Sequence, residues 1–374
     1  APLPFDVSAK ARTAREALYA VKGREILAGE KSPLRKGERI SFFGDSITDQ
    51  GRYTKLIADA VAGGTSTASL GVKVYNRGIN GGKVTDLIYG AKIYGDSQQP
   101  FDEVLSADKP TVVAIYIGIN DVMHNPGTAP ADFEAGLRHL VAKARAAGAA
   151  VVLATPSVHN ERPDGRNVDD GKIDAYAAIT RKVALDANCV LVDMRKAFVA
   201  YLQNHNVTLD ARGVASFEDK GVLTYDGVHP SAKGNELTAD LMAAGIARAI
   251  QAGPPPKPAT IPPAPKRPPT AEEIQAAKLK AELDLIAANA GLKELTGAGT
   301  PLKAGLKIDF FGDSITWQGG YIKLMQRAMD ISPATKDLKV QLIQRGINGG
   351  KSTNLRDGCE KLYGCTGPAG QGAR

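Results

Sequence analysis

The stretch Ile40-Ser41-Phe42-Phe43-Gly44-Asp45-Ser46-Ile47-Thr48 decides the reading of this chain. Four strand-forming residues run straight into a Gly-Asp-Ser turn. A helical pattern over 52–62 follows, so the segment reads as a buried strand, a tight turn and a helix. Four more short apolar runs, Val72 to Tyr75, Val112 to Ile117, Ala150 to Ala154 and Val190 to Val192, alternate with helical patterns around 131–147, 172–187 and 231–250. Strand and helix in alternation predict a parallel sheet covered on both faces, with ligands at the carboxyl ends of the strands.

Working outward, the chain has 374 residues, 43% hydrophobic and 23% charged, the composition of an ordinary globular protein. No apolar run approaches the ~18 residues that a membrane helix needs, so no membrane span is expected. The net charge of +7 is local. Residues 1–39, read as a helical arm, carry nine basic and five acidic side chains, and residues 253–269 carry three basic and none acidic, which together supply the whole excess. A phosphate-binding groove needs its cations within the folded unit, so no nucleic-acid partner is expected. Three cysteines, with no Cys-x-x-Cys or Cys/His spacing, imply neither a disulfide scaffold nor zinc. Cys359 and Cys365 could form a local bridge, and Cys189 reads as a small buried residue at the start of a strand.

Residues 253–269 contain nine prolines and read as an extended linker with a reach of roughly 50 Å. Beyond it, Thr270 and Glu273 form a capping-box pattern, and Ile274, Ala277, Ala281 and Leu285 share a helix face. The region 270–374 then repeats the first. Phe310 to Thr316 is identical to Phe42 to Thr48, and Arg345 to Lys351 is identical to Arg77 to Lys83, both at a separation of 268 residues. One constant separation implies duplication. The organisation expected is a domain over 1–252, a linker over 253–269 and an incomplete second copy over 270–374, unstable alone and suited to self-association.

Four clusters carry chemistry. Ser46, at a strand end beside a helix N-terminus, is either a hydroxyl placed where negative charge is favoured or simply a helix cap. Asn76 to Gly82 can bring a bare backbone N–H close to a ligand, and its spacing does not fit a phosphate loop. Gly118-Ile119-Asn120-Asp121 follows the third strand, with Asn120 either an uncharged donor or a turn former. Asp226-Gly227-Val228-His229 can hold the imidazole Nδ1–H on a carboxylate and leave Nε2 to take a proton. His139 falls within a predicted helix, and His124, His159 and His205 are read as lacking a comparable carboxylate.

These four clusters, in this order over residues 38–250, resemble the SGNH (GDSL-type) hydrolases. The resemblance implies a three-layer α/β/α fold with a mostly parallel, flavodoxin-like sheet of five strands. It also implies Ser46 as nucleophile, His229 as general base and acid, Asp226 as its orienting carboxylate, and an oxyanion hole from the Ser46 and Gly78 backbone N–H groups and the Asn120 side chain, with no metal or organic cofactor. In the second copy Ser314 and Gly346 match, but no counterpart of Asn120, Asp226 or His229 follows. The expected activity is hydrolysis of short-chain acyl or acetyl esters, including esters of carbohydrate, through an acyl-enzyme in a secreted or periplasmic setting. The segments 156–171 (Asn160, Glu161, Arg162, Asp164, Arg166) and 201–224 (Asn204, His205, Asn206, Asp210, Arg212) are polar, unlike the apolar lid that a long acyl chain favours. A lysophospholipase or thioesterase, and a silent carbohydrate-binding protein, are the alternatives.

Overall fold

A computed structural model describes residues 3–93, 96–253, 256–288, 290–312 and 314–346. The chain divides into two compact units, Ala1–Pro268 and Pro269–Arg374. Cys359 and Cys365 lie outside the described residues.

The first unit is built on five parallel strands: β1 Arg39–Gly44, β2 Lys73–Gly78, β3 Val112–Tyr116, β4 Ala150–Ala154 and β5 Val190–Val192. Their order is β2-β1-β3-β4-β5. β1, β3 and β4 are nearly continuous apolar runs and are buried along almost their whole length, as strands covered on both faces must be. Helices Arg52–Gly63, Pro130–Ala146, Asp170–Asp186 and Ala232–Ala252 fall close to the predicted helical segments. Phe43 packs at a tilt against Phe101 with ring centroids 4.6 Å apart, and Phe42 meets Tyr53 edge-on at 5.7 Å. From β1 the chain moves to β2 on one side and then crosses to β3 on the other. The crevice opened by that reversal lies at the carboxyl ends of β1 and β3, where the segments holding Ser46 and Asn120 begin.

Residues 201–205 of the polar segment 201–224 close a helix, Met194–His205. Two expectations need correction. Cys189 is half-buried rather than buried, and desolvation pushes its thiol up to about 11. The proline-rich stretch is no free tether, for residues up to Pro268 belong to the first unit. Tyr89 donates its hydroxyl to the Pro265 carbonyl at 2.5 Å, the His139 Nδ1–H donates to the Pro262 carbonyl at 2.7 Å, and Arg145 reaches the Pro256 carbonyl at 3.2 Å. Ala264 packs against the core. Carbonyls three residues apart face the same way in a polyproline II strand, so Pro262 and Pro265 present their oxygens to one surface.

The second unit, taken alone, contains a parallel pair, β6 Lys307–Gly312 and β7 Gln341–Gly346. Lys307 pairs with Gln341 and Gly312 with Gly346, the register of Arg39 with Lys73 and Gly44 with Gly78. Thr270 and Glu273 do close a reciprocal cap, at 2.7 and 3.1 Å, on helix Ala271–Ala288. Of the face predicted for that helix, Ile274 and Leu285 are exposed.

Candidate active site

Asp45, not Ser46, caps the short helix Ser46–Asp49: its carboxylate accepts the Ile47 N–H at 2.9 Å. Ser46 is thereby released from capping and lies at the first helical position. Its Oγ is 2.8 Å from His229 Nε2, and His229 Nδ1 is 2.7 Å from Asp226 Oδ2. Asp226 Oδ1 also accepts the backbone N–H groups of Val228 and His229, at 2.9 and 2.8 Å. Burial works against ionising Asp226, but these hydrogen bonds prevail and hold its carboxyl below the usual range. An acceptor-only carboxylate on Nδ1 fixes the tautomer in which Nε2 faces the serine as a base. Tyr225 lies over the His229 ring, with centroids 5.7 Å apart and planes within 17°. Its hydroxyl accepts from Gln50 Nε2 at 3.1 Å, and the Arg52 guanidinium sits 5.3 Å from its ring centroid.

Beneath the serine is a buried polar layer. Desolvation pushes Asp45 up to about 7, against the Ile47 hydrogen bond that lowers it, and Asp121 adds to the rise. Asp121, which accepts the Val84 N–H at 3.1 Å, is itself pushed up to about 6 by burial. Thr48 and Tyr53 share a hydroxyl–hydroxyl bond of 2.9 Å.

The predicted oxyanion donors fare differently. Asn120, buried in helix Ile119–Met123, gives one Nδ2–H to the Gly82 carbonyl at 3.1 Å, which leaves its second N–H for a ligand. The Gly78 N–H is already committed to Asn76 Oδ1 at 2.9 Å. The need for glycine at 78 has another cause: a Cβ there would lie 2.1 Å from the Asp49 backbone nitrogen, so the strand end packs directly on the helix that carries Ser46. Gly81, buried beside the Gly82 carbonyl that Asn120 holds, has a φ of 72°, and its N–H takes no hydrogen bond among the described residues. The sequence signal for it was present in Asn80-Gly81-Gly82, but spacing alone cannot rank one loop glycine above another.

Of the remaining histidines, His159 corrects the expectation that it lacks a carboxylate, since its Nδ1 meets Asp169 Oδ2 at 2.7 Å. His124 is pushed down by desolvation, and His205 closes its helix against Tyr19 at 3.0 Å. No cluster of His, Cys, Asp and Glu able to hold a metal ion occurs among the described residues, and no described helix is long and apolar enough to cross a membrane.

A strand-end serine in line with an imidazole and a carboxylate, on a parallel α/β sheet, defines the class of serine-dependent hydrolases. Comparison with known proteins narrows the class: residues 42–237 match the GDSL-like Lipase/Acylhydrolase family, and the chain belongs to that family as a carboxylic ester hydrolase. It is 30% identical over 230 residues to an acetylxylan esterase of Geobacillus stearothermophilus, spanning 55% of this chain and 92% of that protein. Among solved structures it is similar to the acetyl xylan esterase AlAXEase, at 34% identity and a TM-score of 0.47, covering 56% of this chain and 99% of the other. It is also similar to LAE5, an α/β hydrolase from the metagenome of Lake Arreo, Spain, at 25% identity and a TM-score of 0.47, covering 58% and 98%.

Proposed function

We propose that the first unit removes short acyl groups, acetyl above all, from esterified carbohydrate. The observation that carries the proposal is the unbroken hydrogen-bond line from Ser46 through His229 to Asp226. Ser46 Oγ attacks the ester carbonyl carbon while Nε2 of His229 takes its proton, and the resulting imidazolium lies against Asp226. Collapse of the tetrahedral intermediate expels the sugar alkoxide, which receives that proton from Nε2. Water then attacks the acyl-enzyme with His229 again as base, releasing acetate and restoring Ser46. The oxyanion is received by the Ser46 N–H, the free Nδ2–H of Asn120 and, in place of Gly78, the Gly81 N–H.

Two features favour a sugar over a lipid. The relative named above as an acetylxylan esterase of Geobacillus stearothermophilus suggests the substrate class. The surroundings agree, because the half-exposed Tyr225 and exposed Arg52 and Gln50 flank His229, with the polar segment 156–171 nearby. An acetylated polysaccharide lies outside the cytoplasm, so the proposal carries a secreted or periplasmic location. The test is release of acetate from acetylated xylooligosaccharides beside aryl esters of increasing chain length and a lysophospholipid. Acetate release that vanishes in Ser46→Ala is expected. A preference for acyl chains of eight or more carbons favours the lipase alternative, and no turnover of any ester favours the silent carbohydrate-binding one.

A further inference from the structure

The turn that presents Asp226 and His229 is held from below by a carboxylate outside the catalytic line. Glu161 is wholly buried. Its Oε2 accepts the Val222 N–H at 2.8 Å, and its Oε1 accepts the Leu223 N–H at 2.6 Å, the Thr224 N–H and the Thr224 hydroxyl at 2.8 Å. Three consecutive backbone N–H groups converging on one point form a nest for an anion, and here the anion is a side chain of the same protein. The neighbouring backbone is tied down as well. The Asn160 N–H donates to the Gly227 carbonyl at 2.7 Å, and the Glu161 N–H donates to the Asp219 carbonyl at 2.9 Å.

These contacts grip the base of the catalytic turn. Thr224 pairs across it with Pro230, Tyr225 N–H donates to the His229 carbonyl at 3.0 Å, and Ser231 N–H donates to the Leu223 carbonyl at 2.7 Å. Residues 222–224 and 230–231 are therefore tied into one ladder, with Asp226 and His229 at its tip. Shifting the ladder changes the height of the His229 ring above Ser46, and misplacement by about 1 Å can cost on the order of 100-fold in rate.

We infer that Glu161 is a positioning residue, whose carboxylate sets the distance between His229 and Ser46. The inference rests on the proposed esterase reading and deepens it. A carboxylate is required rather than any polar group of that size, because every partner is a donor. The amide of a glutamine would turn its own NH₂ against a backbone N–H and leave buried donors unmet.

The test compares full-length wild type, Glu161→Gln, Glu161→Asp and Thr224→Val in hydrolysis of a soluble acetate ester. Labelling of Ser46 by a fluorophosphonate is followed in parallel. In the Gln variant kcat and the labelling rate should fall about 10- to 100-fold, with KM within about twofold. Aspartate, which keeps the charge but is one methylene shorter, should recover part of the loss. Thr224→Val, which removes one donor at nearly constant volume, should lower kcat severalfold and leave KM alone. A folded Gln variant with kcat within threefold of wild type overturns the inference. If the Gln variant does not fold, an unchanged kcat in Thr224→Val overturns it instead. Absence of turnover and labelling in wild type sinks the esterase reading, and this inference with it.

Discussion

Replacing Asp45 by asparagine should make the protein more stable at pH 8 while leaving it nearly unchanged at pH 4. The buried carboxyl is pushed from 3.8 up to about 7, with desolvation the largest cause. Between those two values the folded state binds a proton that the unfolded chain has already released, so stability falls as pH rises through the interval. The difference, 7 minus 3.8, is about 3, and at ~1.36 kcal/mol per tenfold change in proton affinity the cost above pH 7 reaches at most about 4 kcal/mol. Asparagine keeps the oxygen that caps Ile47 and is never charged, so it escapes that cost. Urea unfolding of both proteins at intervals from pH 4 to pH 8 measures the gap between their stabilities, which should widen from near zero to a few kcal/mol. Asp121, pushed up to about 6, has the same sign and remains in both proteins, so its own desolvation is common to both and only its repulsion of Asp45 enters the gap. Parallel curves across the whole range would refute the claim that Asp45 resists ionisation.

Ser46→Ala should lower kcat by 10³-fold or more while native circular dichroism persists, and retained turnover would remove Ser46 as nucleophile. Asn120→Ala should cost roughly 10²- to 10³-fold in kcat with KM little changed, since an oxyanion donor acts in the transition state; a change in KM alone would make it a substrate-binding residue. Gly78→Ala should both destabilise the fold and depress kcat, because the new methyl meets the Asp49 backbone, and a neutral result in thermal unfolding and turnover would contradict that packing. A fragment of residues 1–268 should retain the turnover of the whole chain and melt higher than one of 1–252, which lacks the carbonyls held by Tyr89, His139 and Arg145; equal melting temperatures would mean those contacts add nothing.

The sheet was legible because its strands are short, apolar and separated by amphipathic helices, a pattern that solvent exclusion dictates locally. The relation of Ser46 to His229, which are 183 positions apart, was expected from the resemblance that the four ordered clusters carry, each beside its own strand or helix end. What escaped the reading was set by long-range pairing. Glu161 looked like one more polar residue in a polar segment, since nothing nearby announces the three backbone N–H groups that come to it from 61 to 63 residues away. The Asp169 partner of His159 lay only ten residues along, but a loop of that length gives no rule for which side chains face each other. The resemblance points to Gly78, and nothing in the sequence reveals that its N–H is taken by the neighbouring Asn76.

At three of its prolines the proline-rich stretch offers the first unit a main-chain oxygen. Proline has no N–H to offer, and the contacts made to Pro256, Pro262 and Pro265 run from side chains of the folded domain to main-chain carbonyls. Any residue supplies a carbonyl, and the identity of the side chains at 256 and 262 is then freer to vary than that of the buried Pro265, as long as the strand stays stiff. Composition here encodes rigidity, with recognition left to the backbone. Exchanging Pro262 for alanine would keep its oxygen and forfeit only the conformational restriction, about 0.4 to 1 kcal/mol. Relatives could thus diverge widely across this segment and still wear the same strap.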